Sequence, residues 1–199
     1  MTTELISNSR IIETLKWRYA TKALDPTREI PDDHWETLLE SIVLAPTSFG
    51  LQPFRVYNVE NAQVRAEILP HAWNQKQITD ASKLLVFAGM TTIDATFVDA
   101  HISRVAANRN ATVEAMARSE PILAGLVPHE EFKPMALQWS ARQAYIALGC
   151  LLFAAALLGI DACPMVGFIP PDVNKVLGLT PETGFLGGRV MCVRLSTSR

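Results

Sequence analysis

The chain has 199 residues, 49% of them hydrophobic and 19% charged, which is too apolar and too weakly charged for a disordered polymer. Eighteen Lys and Arg against twenty Asp and Glu leave a formal net charge of −2, so no basic excess draws the chain onto nucleic acid or an anionic membrane. The length predicts one domain over 1–199, able to bury about 70% of its extended surface without a disulfide or metal staple.

A first helix is predicted over residues 6–17, with apolar side chains at 6, 11, 12, 15 and 17 and with Asn8 or Ser9 as its cap. The polar stretch 18–22 leads to a turn at Asp25-Pro26. Pro31-Asp32-Asp33 opens a second helix carrying Trp35, Leu38, Leu39, Ile42 and Val43 at helical spacing, and it ends before Ala45-Pro46. Beyond the loop 47–53, residues 54–59 alternate and are aromatic and β-branched, the pattern of a strand. Residues 62–69 read as a short helix, 74–79 as a polar helix or loop, and 83–88 as a buried strand. The stretch 94–126 is helical in composition, interrupted at Asn108-Arg109-Asn110.

A long helix is predicted over 135–158, stopped by Gly159 just past its end. Its uncharged part, 144–160, is marginal in length for a bilayer and rich in small residues, so a central helix buried on all sides is expected instead. Residues 161–168 form a strand that breaks into a loop, 170–177 a short helix, and 189–195 the last strand. Gly184 to Gly188 reads as a turn.

Several chemistries are disfavoured. His34, His71, His101 and His129 lie far apart with no HExxH or CxxC, so no metal site is expected. GxSxG and GxGxxG are absent, which argues against a hydrolase elbow and a Rossmann dinucleotide domain. Cys150, Cys163 and Cys192 are an odd count in apolar surroundings and read as reduced core cysteines of a cytoplasmic protein. The first ten residues lack the apolar core of a signal peptide. What remains is of a binding type: Arg18 and Lys22 four apart, the hydroxyl- and glycine-bearing loop 46–50, and the segment 163–167 that could bring backbone amides against a ring. Each alone has a plainer reading, as a solvated helix end, a helix-to-strand turn and a strand end.

Taken together and in order, five segments carry a resemblance. They are Lys16-Trp17-Arg18-Tyr19-Ala20-Thr21-Lys22-Ala23-Leu24-Asp25, then Leu44-Ala45-Pro46-Thr47-Ser48-Phe49-Gly50-Leu51-Gln52-Pro53-Phe54, then Asn74-Gln75-Lys76-Gln77-Ile78-Thr79-Asp80-Ala81, Gln143-Ala144-Tyr145-Ile146-Ala147-Leu148-Gly149, and Ala155-Ala156-Leu157-Leu158-Gly159-Ile160-Asp161-Ala162-Cys163-Pro164-Met165-Val166-Gly167-Phe168. The chain resembles the FMN-dependent nitroreductases, of the oxygen-insensitive NAD(P)H nitroreductase and dihydropteridine reductase type, over roughly residues 10–180. The resemblance implies an α+β fold, a mostly antiparallel sheet of about four strands wrapped by helices, in an intertwined homodimer.

It also implies roles. Arg18 would hold the FMN phosphate, with Tyr19 and Ala20 touching phosphate and ring. Lys22 would sit beside flavin N1 and O2, where a cation stabilises the charge that reduction leaves there. Thr47 and Ser48, in the loop before Gln52, would line the cofactor from the partner subunit, and Asn74 would bond its pyrimidine edge. Pro164, Met165, Val166 and Gly167 would lie on the ring face. Phe49 and Trp73 are candidates for an aromatic lid over the substrate side. Two departures stand out. Val166 replaces a common glutamate, and the family's tail past the last strand, with its Lys-x-Arg for the phosphate, is not in this sequence, which implies a smaller interface. The implied activity is two-electron reduction of nitroaromatics or quinones by NAD(P)H in ping-pong fashion. The alternatives are a flavin-binding protein without turnover, or another flavin reaction such as reductive dehalogenation.

Overall fold

The computed structural model describes residues 5–119, 133–186 and 192–196. Helix α1 is Asn8–Trp17, and its cap is Ser7, one residue ahead of the two predicted candidates; the Ser7 hydroxyl accepts the Arg10 N–H at 3.2 Å. The apolar residues of α1 do not form its buried face. Thr14 turns inward at 3% exposure, while Ile12 and Leu15 stay about half exposed. Helix α2 is Asp32–Val43, with Asp32 and Asp33 in its first turn and Leu38 and Ile42 buried. Strand β1, Phe54–Asn58, precedes α3, Ala62–Ile68, which is capped by the Asn61 side chain accepting the N–H groups of Gln63 and Val64. A 3₁₀ turn, Leu69–Ala72, and the short α4, Gln77–Asp80, lead to strand β2, Lys83–Met90.

Asp94 caps α5, Ala95–Asn108, by accepting the Phe97 N–H at 2.8 Å. Asn110, at φ 50°, makes the predicted interruption, and α6 is Val113–Ser119. The rest of that predicted stretch, 120–126, lies outside the described residues, as does His129. The long helix is α7, Ala136–Leu157, followed by β3, Asp161–Met165, and α8, Pro170–Val176. Gly184 turns with φ 75°, but Phe185–Leu186, expected in that same turn, form a two-residue strand β4. Strand β5 is Cys192–Ser196; positions 189–191 of the predicted strand lie outside the described residues.

The sheet runs β1-β2-β5-β3 with β4 beside the end of β2, and every strand pair is antiparallel. In register, Val56 faces Phe87, Val86 faces Cys192, and Cys192 faces Met165. Strand β2 explains its own unbroken apolar sequence. Leu85 and Phe87 point into a cluster with Leu38, Ile42, Leu148 and Leu151, while Leu84, Val86 and Ala88 point into another with Ile68, Ile78, Cys163 and Val173. A strand covered on both faces has no polar side to show.

Helix α7 is long and apolar enough to cross a membrane by composition, yet it packs on β2, α2 and β3. Its expected burial on all sides is found on one side only. Ala147 and Leu151 are fully covered, while Arg142, Tyr145, Ile146 and Gly149 form an exposed stripe at helical spacing. Nothing in the local sequence singles out Arg65. It is buried, donating from Nε to Val59 O at 2.6 Å, from Nη1 to Ala81 O, and from Nη2 to Ser82 O at 3.2 Å. Burial lowers its pKa from the usual value.

Candidate functional site

Residues 18–22 leave α1 in extended conformation and run beside β3. Arg18 ends the helix with its N–H on Thr14 O at 3.2 Å, and its φ of −72° and ψ of 136° send the chain straight on. Ala20 pairs with Ala162 in a parallel bridge. Next to it, the Thr21 hydroxyl donates to Asp161 Oδ1 at 2.8 Å, with both residues nearly fully buried. Alternation along the extended strip then puts Lys22 on the face opposite Thr21, and Lys22 is exposed. The parallel bridge carries Lys22 along the strip toward the level of Pro164. Among the described residues neither Arg18 nor Lys22 makes an ion pair.

The loop after β3 is clamped by the segment after α3. Trp73 and Asn74 both take left-handed φ, 55° and 53°. The indole lies so close over Gly167 that a Cβ there would stand 2.6 Å from Trp73 Cζ3. Gln75 Nε2 donates to Gly167 O at 3.0 Å and to Ala72 O at 3.1 Å, and the Ile169 N–H donates to His71 O at 2.8 Å. His71 Nδ1 lies 3.2 Å from Asp172 Oδ2. Within the loop, the Met165 side chain is packed in the core, which leaves only its backbone for a ligand, whereas Val166 is exposed. The N–H groups of Val166 and Gly167 donate to no other described group. Pro164 is partly buried.

Thr47, Ser48, Phe49 and Gln52 form a second group, tied to α2 and α7. The Ser48 N–H donates to Gln143 Oε1 at 2.8 Å, the Gln52 N–H to Thr47 Oγ1 at 3.1 Å, and Gln52 Nε2 to Val43 O at 2.6 Å. Phe49, Gly50 and Gln52 all have positive φ, 57°, 67° and 48°. Gln143, buried on α7, anchors this loop from 95 residues away. Its place in a matched segment is the only sequence signal for it. Two clefts lie elsewhere, one of about 480 Å³ lined by Arg10, Thr14, Trp17 and Gly159, another of about 400 Å³ between α2 and β1.

The arrangement suits a flat anionic ligand better than a covalent or metal-based chemistry. Among the described residues it offers cations without ion-pair partners, backbone amides that donate to no described group, and an exposed indole packed on Gly167. The fold is nitroreductase-like. It matches a proposed nitroreductase of Exiguobacterium sibiricum, crystallised with FMN, at a TM-score of 0.77 and 22% identity, covering 99% of this chain and 91% of that one. It also matches a proposed nitroreductase of Bacillus subtilis at 0.76 and 18%, covering 97% and 90%. In sequence, residues 15–192 fit the model of the Nitroreductase family. A proposed NAD(P)H nitroreductase of Staphylococcus epidermidis is 34% identical over 182 residues, 90% of this chain and 81% of that protein, and one of Staphylococcus haemolyticus is 32% identical over 175 residues, 86% and 79%. The chain belongs to the nitroreductase family.

Proposed function

We propose that this protein is an FMN-dependent oxidoreductase that uses NAD(P)H to reduce nitroaromatics or quinones by two electrons. The observation that carries the reading is the meeting of three distant segments, 18–22, 73–75 and 164–167, around one edge of β3 where Arg18 and Lys22 have no ion-pair partner among the described residues. The names of the relatives, NAD(P)H nitroreductases, and the FMN bound in the Exiguobacterium neighbour support it.

The donor set fits the cofactor. Arg18 would bind the phosphate, aided by Tyr19 and Ala20, and Asn74 the pyrimidine edge. Lys22 would lie beside N1 and O2, where its charge favours the reduced form. The backbone of Pro164, Met165, Val166 and Gly167 would support the ring, with the Trp73 indole packed against Gly167. When bound, FMN supplies a two-electron carrier that takes hydride from NAD(P)H and passes reducing equivalents to the acceptor. The chain itself needs no nucleophile; it orients, supplies charge and excludes water.

The working unit in this reading is a cytoplasmic homodimer. Its support is the apolar surface left open on one chain: Tyr145 and Ile146 on α7, and Ile12 and Leu15 on α1. Thr47, Ser48 and Gln52 would then reach the partner's cofactor, with Phe49 and Trp73 flanking the substrate. Among the described residues Cys150 is a free thiol, which accords with a reducing compartment.

Denaturing the purified protein and chromatographing the supernatant should release FMN, and NAD(P)H should bleach the yellow protein under anaerobic conditions. Absence of flavin together with no thermal shift on adding FMN would overturn the reading. A yellow protein that NAD(P)H leaves unbleached would mark a flavin-binding module instead.

A further inference from the structure

Helix α5 presents His101 and Val105 at four-residue spacing, and Arg109 follows at the same interval at its C-cap, so the three share one face. That face closes on the Phe49 loop. His101 is buried and lies next to Gly50, where a Cβ would stand in van der Waals contact, 3.7 Å from His101 Cε1. Phe49, held at φ 57°, turns into the same space, and Ile102 and Met116 complete the lining of a small pocket. The pocket encloses about 40 Å³, room for a carboxylate or a ring edge but not for a whole acceptor.

Its chemistry is one-sided. An imidazole and a guanidinium line it, the other described lining residues are apolar, and none is a carboxylate. Among the described residues the Arg109 guanidinium donates from Nη1 to Met116 Sδ at 4.0 Å, a weak acceptor. Among the described residues Arg109 has no ion-pair partner. A guanidinium without a carboxylate, beside apolar and aromatic surface, is complementary to an aromatic ring that bears an anion.

We propose that the His101–Arg109 wall selects acceptors carrying a carboxylate on the aromatic ring, the nitrobenzoate class, over neutral aromatics. The inference rests on the flavin-dependent reading above, which places the Phe49 loop beside the cofactor. The carboxylate would enter the pocket and pair with Arg109. The ring would extend past Phe49 toward the flavin, and His101 would close the inner wall.

The test compares 4-nitrobenzoate with its methyl ester in the flavin-loaded protein and in Arg109→Gln and Arg109→Lys. A charge-assisted bond of this kind gives a preference of about tenfold or more in kcat/KM for the acid. Arg109→Gln should lower that acid-to-ester ratio about tenfold, and Arg109→Lys, which keeps the charge but loses the planar fork, should give a ratio between the two. Calorimetric binding of 4-nitrobenzoate to the same proteins, without turnover, should show about a tenfold weaker dissociation constant for the Gln variant. A ratio near one in the unmodified protein, or equal losses on acid and ester, overturns the proposal. A change in the NADPH-to-NADH preference in place of the acid-to-ester ratio also overturns it, because the anion held would then be the donor's phosphate. If no flavin is bound, the oxidoreductase reading fails separately, and the binding measurement still decides whether Arg109 holds an aryl carboxylate.

Discussion

Thr21 and Asp161 are 140 residues apart in the chain and meet in a buried hydrogen bond of 2.8 Å. That bond fixes which way the strip from Arg18 to Lys22 faces. Thr21→Val keeps the shape and removes the donor, so it should cost about 1–3 kcal/mol in a urea unfolding titration and weaken FMN binding as the strip loosens. Lys22→Ala and Arg18→Ala should separate by role. The charge beside N1 develops only on reduction, so Lys22→Ala should slow reduction by NAD(P)H roughly 10²-fold, more than it weakens FMN binding. Arg18→Ala should do the reverse. Stopped-flow reduction of FMN-saturated variants reads both, and equal effects on the two parameters would refute the assignment. At Gly167 the conflict is steric. Gly167→Ala would place a methyl 2.6 Å from the Trp73 ring, which is largely exposed and able to swing outward. The expected outcome is a red-shifted indole emission with little loss of thermal stability. In a Trp73→Ala background, Gly167→Ala should then have no remaining effect on stability.

Two elements owe their positions to single residues or stripes within them. Helix α3 is locked to the start of β2 by Arg65, whose guanidinium serves three backbone carbonyls. Arg65→Met should cost about 3 kcal/mol, because packing survives but buried acceptors lose their donors; thermal unfolding measures it. Helix α7 is buried on one side and exposed on the other. Leu151 is fully buried between α2 and β2, so Leu151→Ala should cost about 2–5 kcal/mol of stability. Ile146 lies on the exposed stripe, so under the proposed dimer its replacement should act on association instead of folding.

For the whole molecule, the shared-site reading makes association and cofactor retention one property. Light scattering at micromolar concentration should report twice the chain mass. Ile146→Glu should shift the protein toward monomer and lower its FMN content together. A monomer retaining stoichiometric FMN would refute the placement of Thr47 and Ser48 in a partner's site. An obligate interface of this kind should bury more than about 2,000 Å², and the open faces of α1 and α7 are where that area is available.

The sequence by itself determined the elements whose causes are local. The apolar run of β2, the acidic first turn of α2, the glycine ending α7 and the interruption near Asn110 follow from side-chain pattern and backbone preference within a few residues. It also determined the family, because five short segments in order are more specific than any one of them. Tertiary structure decided the rest. Helix α1 turned Thr14 inward because its position against α7 outweighed its apolar pattern, whereas its cap at Ser7 is a local bond to the Arg10 N–H, one polar residue before the two predicted. The two-residue β4 was hidden because its pairing partner, not its own composition, makes it a strand. The contacts that shape the site, Thr21 with Asp161, Trp73 with Gly167, Ser48 with Gln143, each join residues about 90 to 140 positions apart. No local pattern encodes such pairs, since only the packing of α7 and β3 against their neighbours brings them within reach.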